Sequence, residues 1–117
     1  MRRKKPVLNI LMSLARFLGA EPGVSVAEKI SRDVLICNRR GLHARASAKF
    51  AKTAGNFEAR IEVCKEDMCV VGTSIMGLMM LGAAKGEGIN IAAAGSDASA
   101  ALDQLCSLVE EKFGEAE

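Results

Sequence analysis

The stretch RRGLHARASA, residues 39–48, is the part of the sequence from which the fold and the candidate site are best predicted. It contains His43, the only histidine among the 117 residues. Gly41 indicates a turn and the Ala-rich run from Ala44 to Ala54 predicts a helix, so His43 should lie at or just before a helix start. The first amides of a helix lack intrahelical partners, and the helix dipole makes that end electropositive. The stretch therefore predicts an imidazole beside a place where an anion can bind.

The pattern around His43 allows two interpretations. A neutral imidazole is a competent nucleophile near neutral pH, so His43 could take up a phosphoryl group that the backbone N–H groups stabilise. The alternative is a histidine that caps the helix or fills a corner of the core. Arg45 favours the anion site, because its permanent charge and several N–H donors lie close to the imidazole.

Two segments of the chain resemble one known family. GLHAR, residues 41–45, resembles the active-site motif of HPr, the histidine-containing phosphocarrier of the bacterial phosphotransferase system. GTSIMGLMMLG, residues 72–82, resembles the regulatory-serine segment of that family. Many members have proline where this chain has Ala46. Because proline there only pre-organises the first helical turn, Ala46 should soften the helix start and leave the chemistry intact.

The resemblance implies a phosphoryl relay. His43 would accept a phosphoryl group on Nδ1 from phosphorylated enzyme I, ultimately from phosphoenolpyruvate, and pass it to an enzyme IIA-type acceptor. The backbone N–H groups of Ala44 and Arg45 would bind the phosphate, and the Arg45 guanidinium would add a charge-assisted contact. Such a chain is the substrate of phosphotransferases and not itself an enzyme, and it needs neither a cofactor nor a metal.

Ser74 is placed to be the N-cap of a second helix. The resemblance adds a regulatory role, in which an HPr kinase/phosphorylase phosphorylates Ser74. A phosphate there would place about −1.5 to −2 charge beside the docking surface and weaken phosphate uptake at His43.

Two groups of side chains are candidates for partner binding. A basic cluster would speed association with acidic partners, its alternative being an ordinary solvated face. By the resemblance, part of the second helix lies exposed near His43, where flexible methionines suit several partners. Leu78 and Leu81 are expected in the core, with Met80 as filler there. The basic cluster comprises Arg39, Arg40, Arg45, Lys49 and Lys52, and the predicted partner-binding residues are Arg40, Lys49, Lys52, Ile75, Met76 and Met79.

Composition indicates a small aliphatic core, because half of the residues are hydrophobic but only four are aromatic, all Phe. The net charge of +2 divides into +4 on residues 1–30 and −2 on residues 31–117, which does not favour nucleic-acid binding. The four cysteines show no Cys-x-x-Cys spacing, and the single histidine is far away in sequence, which argues against a zinc site. They are expected to be thiols in a reducing cytosol. These are Cys37, Cys64, Cys69 and Cys106.

Residues 1–30 are predicted to be a basic and apolar extension that ends in a linker, and residues 31–117 the HPr-like domain. The apolar run 7–18 is too short for a transmembrane span. Arg16 within it, and the lack of a small-x-small cleavage site, argue against a signal peptide. A basic amphipathic helix that lies on a membrane or docks on a partner fits better. A misassigned start codon is the alternative.

The remaining pattern predicts an α+β fold. The order βαββαβα favours a two-layer open-faced sandwich, in which three helices cover one face of a four-stranded antiparallel sheet. The resemblance implies the same fold. The first predicted strand is the short run 34–37 within residues 31–38, and the others are 58–65, 68–71 and 89–93. The predicted helices are 44–54, 74–82 and one from 95 to 114.

Two alternatives to the sugar-transport carrier stay open. A regulatory member of the same family, which signals nitrogen or metabolic state, would share every site residue. A pure interaction module would bind partners without phosphotransfer. An enzyme is disfavoured because no second acid or base is expected near His43, and the sequence contains no metal-binding set or nucleotide-binding loop.

Overall fold

The computed structural model describes residues 29–116. Its four strands form one antiparallel sheet in the order β1-β4-β2-β3. The βαββαβα order and the open-faced sandwich are confirmed, with one 3-10 turn added after the last helix. The elements are β1 Lys29–Leu35, α1 Ala44–Ala54, β2 Arg60–Lys65, β3 Met68–Val71, α2 Ile75–Leu81, β4 Gly88–Ala94, α3 Ala98–Glu110 and the 3-10 turn Lys112–Gly114.

Alternation along the strands decides which face of the sheet the helices cover. Ile61 and Val63 of β2 are buried, while Glu62 between them points to the other face. Ile91 of β4 is paired with Val63 and is also fully buried. Phe50 of α1 belongs to the same buried cluster. One face of the sheet is therefore core and the other is open, as the period-two pattern predicts.

The first strand and the last helix differ from their predicted bounds. Ile36 lies beyond β1, because its amide and carbonyl pair with Glu87 and Gly86 instead of continuing the β1–β4 ladder. The last helix ends at Glu110 and not at Gly114. The chain leaves the helical path there, because Lys112 and Phe113 have φ of 60° and 56°.

Burial on the helices follows the 3.6-residue period. Leu78 and Leu81 are buried, as predicted. The placement of Met80 in the core is wrong, since its exposure is 65%. Met80 is two positions from Leu78, which puts it on the opposite side of α2. In α1, Ala48 is only half-buried, whereas Ala46 and Ser47 are fully buried.

The prediction of four thiols is wrong for one pair. Cys64 and Cys69 face each other across the β2–β3 hairpin, with a Cα–Cα distance of 4.0 Å, and form a disulfide. Glu62 brings a carboxylate within 4.8 Å of both sulfurs, but these are committed to the disulfide. Cys37 and Cys106 are free thiols. Burial raises the pKa of the Cys106 thiol although Arg32 lies nearby, so this thiol is unreactive.

Within residues 29–116, no helix combines the length and the apolar character that crossing a bilayer requires. The amphipathic helix predicted for the N-terminal extension lies outside the described residues. Of that extension, only Lys29 and Ile30 are described, and they form the start of β1.

Candidate functional site

The loop between β1 and α1 has a fixed shape that presents His43. Gly41 has φ of +65°, and a Cβ at this position would clash with the carbonyl oxygen of Ala83. That same oxygen accepts a hydrogen bond from the Leu42 amide at 3.0 Å. The Leu42 side chain is 5% exposed and belongs to the core. The loop is therefore pinned to the segment after α2, and only glycine fits at position 41.

His43 is the N-cap of α1, as one of the two sequence interpretations proposed. Its backbone is extended, and its carbonyl accepts the first helical hydrogen bond, from the Ser47 amide at 2.8 Å. Its Nδ1 accepts a hydrogen bond from the Arg45 amide at 3.2 Å. The ring remains partly accessible, with 16% of the side chain exposed. The prediction of an imidazole at a helix start, aimed at the first amides, is confirmed.

The other ring nitrogen of His43 contacts a carboxylate. Nε2 lies 2.5 Å from Oε2 of Glu115, whose side chain is 20% exposed. The expectation that no second acid or base lies near His43 is therefore wrong. Because Nδ1 accepts the Arg45 amide proton, the proton of a neutral ring must reside on Nε2, which donates it to Glu115.

A buried amide holds Glu115 in place. Nδ2 of Asn38 donates to Glu115 Oε1 at 3.1 Å and to the Gly41 carbonyl at 2.9 Å. Both partners are acceptors, which fixes the orientation of the amide group. Asn38 is fully buried, and its Oδ1 has no hydrogen-bond partner within residues 29–116. Asn38 therefore links the loop that presents His43 to the end of the chain.

The pKa of Glu115 lies below its ordinary value of 4.5. Burial by itself would raise this pKa, but the hydrogen bonds from His43 and Asn38 outweigh it, and the positive charge of Arg40 adds to them. Glu115 is therefore ionised at neutral pH, and it places a negative charge against the His43 ring.

The 3-10 turn delivers Glu115 to the site. Phe113 is fully buried in the core despite its left-handed backbone. Its carbonyl accepts a hydrogen bond from Lys49 Nζ at 2.7 Å. The ammonium of Lys49, predicted as partner-binding, thus contacts the C-terminal turn.

The surface around His43 is shallow and cationic. Arg40, His43, Ala44 and Arg45 line one open depression. An adjoining depression is lined by Arg39, Arg40, Arg45, Glu115 and Ala116. Lys52 is exposed in the last turn of α1, about 12 Å along the helix from Ala44. Three arginines of the basic cluster therefore gather at the site, whereas Lys52 does not.

Ser74 and the exposed side of α2 lie where the sequence placed them. Ser74 is the N-cap of α2, and its Oγ accepts a hydrogen bond from the Gly77 amide at 2.9 Å. Ile75, Met76 and Met79 are exposed by 43%, 70% and 41%. Because α1 and α2 pack against each other, this apolar surface belongs to a helix next to the one that His43 caps.

Sequence reasoning missed Asn38, Ser47 and Glu115. Ser47 is fully buried, and its Oγ donates to the Leu42 carbonyl at 3.2 Å, so it ties the presenting loop to α1. A polar residue within an otherwise apolar helix face was a usable signal for Ser47. Glu115 is 72 residues from His43, so no local pattern could reveal their contact.

The model of a known family, described as the PTS HPr component phosphorylation site, matches residues 30–111. The chain belongs to the HPr family. It is thus a phosphocarrier-type protein of the phosphotransferase system, and the predicted membership is confirmed.

Relatives of this family match about three quarters of the chain. Phosphocarrier protein HPr of Neisseria meningitidis serogroup A is 47% identical over 88 residues, which are 75% of this chain and 99% of that protein. Phosphocarrier protein NPr of Shewanella violacea is 44% identical over 88 residues, 75% of this chain and 97% of that protein. Among solved structures, HPr-C-His from Thermoanaerobacter tengcongensis is 40% identical with a TM-score of 0.72, covering 75% of this chain and 99% of that one.

Proposed function

We propose that His43 carries a phosphoryl group on Nδ1, taking it from phosphorylated enzyme I and giving it to an enzyme IIA-type acceptor. The observation that supports this is the orientation of Nδ1, which faces the Arg45 amide at the start of α1. Family membership supplies the reaction class. The chain is the substrate of two phosphotransfer reactions, and its place of action is the cytoplasm. The carrier domain comprises residues 31–117 together with Lys29 and Ile30 of β1.

Phosphoryl transfer depends on positioning of the reacting groups and on charge stabilisation more than on acid–base catalysis. The Nδ1 lone pair attacks phosphorus, the bond from phosphorus to the donor's histidine breaks, and that electron pair returns to the donor's nitrogen. The Arg45 N–H, released from Nδ1, then donates to a phosphate oxygen together with the Ala44 N–H. The Arg45 guanidinium contributes a charge-assisted contact. In the second transfer, the acceptor's nucleophile attacks phosphorus, the bond from phosphorus to Nδ1 breaks, and that electron pair returns to Nδ1.

The open site suits a carrier. The depression beside His43 is shallow and is rimmed by the arginines of the basic cluster, so a partner can bring its own groups to the phosphoryl group. The exposed Ile75, Met76 and Met79 on α2 offer an adaptable apolar contact. Arg40 and Lys52 add positive charge that steers acidic partners. The expected partners are enzyme I and enzyme IIA-type proteins.

Ser74 is the proposed regulatory site, with an HPr kinase/phosphorylase as the modifying partner. Its Oγ lies at a helix start, where a phosphate is tolerated. The added charge of about −2 would oppose docking of acidic partners on the neighbouring surface. A Ser74→Asp variant is expected to take up phosphate from enzyme I more slowly than a Ser74→Ala variant. Equal rates would exclude this role.

The carrier function is tested by incubating the protein with phosphoenolpyruvate and enzyme I. An acid-labile phosphoryl adduct should form, and it should be absent from His43→Ala. Arg60→Ala is the matched control, since it changes an exposed cation on the sheet and should still be labelled. An adduct that persists in His43→Ala would refute the assignment.

A regulatory carrier is the second candidate, because a protein named NPr is 44% identical to this chain, beside the 47% of an HPr. Such a protein would pass its phosphoryl group to acceptors that control nitrogen or metabolic state and not to sugar transporters. Transfer from the phosphorylated chain to the two kinds of IIA acceptor would separate the candidates. A preference of tenfold or more for one acceptor decides between them.

A further inference from the structure

The contact between His43 and Glu115 is built into the fold from two sides. On one side, the buried amide of Asn38 holds Oε1 of the carboxylate. On the other, the buried Phe113 ring and the Lys49 ammonium fix the turn that precedes Glu115. A carboxylate held by buried groups differs from a surface ion pair, since its geometry is set before any partner arrives.

The charges around the ring make this carboxylate the counterion of His43. Arg40 and Arg45 line the depression to which His43 also contributes, and Arg39 lines the adjoining one. These cations favour a bound phosphoryl group but disfavour a positive charge on the imidazole. Among residues 29–116, Glu115 provides the carboxylate that contacts the ring. Hydrogen bonding keeps its pKa low, so it carries its charge throughout the neutral range.

The state of Nε2 decides how readily the phosphoryl group leaves again. When the Nδ1 lone pair bonds to phosphorus, a ring that keeps its Nε2 proton becomes a cation. Cleavage of that nitrogen–phosphorus bond returns the electron pair to Nδ1 and releases a neutral imidazole. If Nε2 loses its proton first, the leaving group is an imidazolate anion, which is far poorer. A carboxylate on Nε2–H stabilises the cationic, transfer-competent form.

We propose that Glu115, held by Asn38, is a positioning residue that keeps the proton on Nε2 of His43 both before and after Nδ1 is phosphorylated. This role rests on the proposed phosphocarrier function. It extends the familiar logic of a carboxylate that orients a histidine and stabilises its imidazolium form. Glu115 does not touch the phosphoryl group, and its effect is transmitted through the ring.

The test compares Glu115→Gln with the wild-type protein by NMR at varied pH. His43 is the only histidine, so its ring protons give one unambiguous titration, and phosphorus NMR follows the phosphorylated ring. In both forms, the midpoint for loss of the ring's positive charge should be about one pH unit lower in the variant, a tenfold change in the equilibrium. The proton is lost from Nδ1 in the unmodified ring and from Nε2 in the phosphorylated ring. Transfer to the acceptor should then decline at a correspondingly lower pH.

Glu111→Gln is the matched control, because it removes an exposed carboxylate from the same end of the chain. It should leave both midpoints unchanged. Glu115→Asp keeps a carboxylate and should show a smaller shift than Glu115→Gln. Unchanged midpoints in Glu115→Gln, in a protein that is still phosphorylated, would overturn the role of Glu115 alone. A shifted midpoint, with neither the variant nor the wild type phosphorylated by enzyme I, would support the contact and refute the carrier function.

Discussion

Each ring nitrogen of His43 has its own partner, and the two partners come from opposite ends of the domain. Nδ1 faces the Arg45 amide two residues away, a contact that helix-capping rules predict from the Gly-Leu-His-Ala sequence. Nε2 contacts Glu115, which reaches the site only through tertiary packing. Sequence patterns could therefore predict the first contact but not the second.

Gly41 is expected to be indispensable for presenting His43. Gly41→Ala places a Cβ against the Ala83 carbonyl and also strains a backbone with φ of +65°. Gly82→Ala is the matched control, since Gly82 has φ of +62° and open space around its Cβ position. We expect the control to lose about 1 kcal/mol of unfolding free energy and Gly41→Ala about 2 kcal/mol more.

Denaturant unfolding measures both variants. Gly41→Ala should also slow phosphorylation of His43, whereas Gly82→Ala should not. Equal losses of stability in the two variants would mean that the loop does not pack tightly against Ala83.

Glu115 should make the unfolding free energy depend on pH in the acidic range. Its folded-state pKa lies below the unfolded value of about 4.5, so the folded state keeps the carboxylate charged where the unfolded state is already protonated. Its contribution is therefore complete above that pH and is lost as the pH falls through the lower, folded-state value. The difference in unfolding free energy between wild type and Glu115→Gln should shrink as the pH falls below about 4.5, where the unfolded carboxylate is protonated. A difference that keeps growing below that pH would contradict the assigned direction.

At the scale of elements, periodicity predicted which residues form helices and strands better than where each element ends. The bounds of α1 and β3 agree with prediction because Gly55 and the turn after Lys65 are local signals. The end of α3 was missed because Phe113 adopts φ of 56° to bury its ring, a choice that depends on the core. Met80 was misplaced because a hydrophobic side chain does not reveal which side of a short helix is covered.

The β2–β3 hairpin should respond to reductant. The disulfide between Cys64 and Cys69 closes a short loop with a sequence separation of 5. In the chain-entropy description, a loop of this size contributes about 2 kcal/mol. Thermal unfolding of the wild type should therefore shift downward when a phosphine reductant is added.

The double variant Cys64→Ala/Cys69→Ala should show no reductant effect, while Cys37→Ala, which keeps the disulfide, should respond like the wild type. A wild type whose melting temperature ignores the reductant would mean that the two thiols are not joined in solution.

For the whole molecule, the fold gathers the proposed functional surface on the helical side of the sheet. His43 at the start of α1 and the exposed apolar side of α2 belong to neighbouring elements. The mildly acidic domain concentrates arginines around the ring. Composition and periodicity predicted this architecture, because each element buries one apolar face. They could not predict that the C-terminal turn packs against the site. Asn38, Lys49 and Glu115 are far apart in the sequence, so no local pattern connects them.

The position of phosphorus on the ring tests the central claim most directly. Protein labelled with nitrogen-15 in histidine is phosphorylated by enzyme I, and the nitrogen coupled to phosphorus is identified by NMR. Because Nδ1 faces the helix start and Nε2 is held by Glu115, phosphorus should be found on Nδ1 while Nε2 keeps its proton. Phosphorus on Nε2, or on any residue other than His43, would contradict the account.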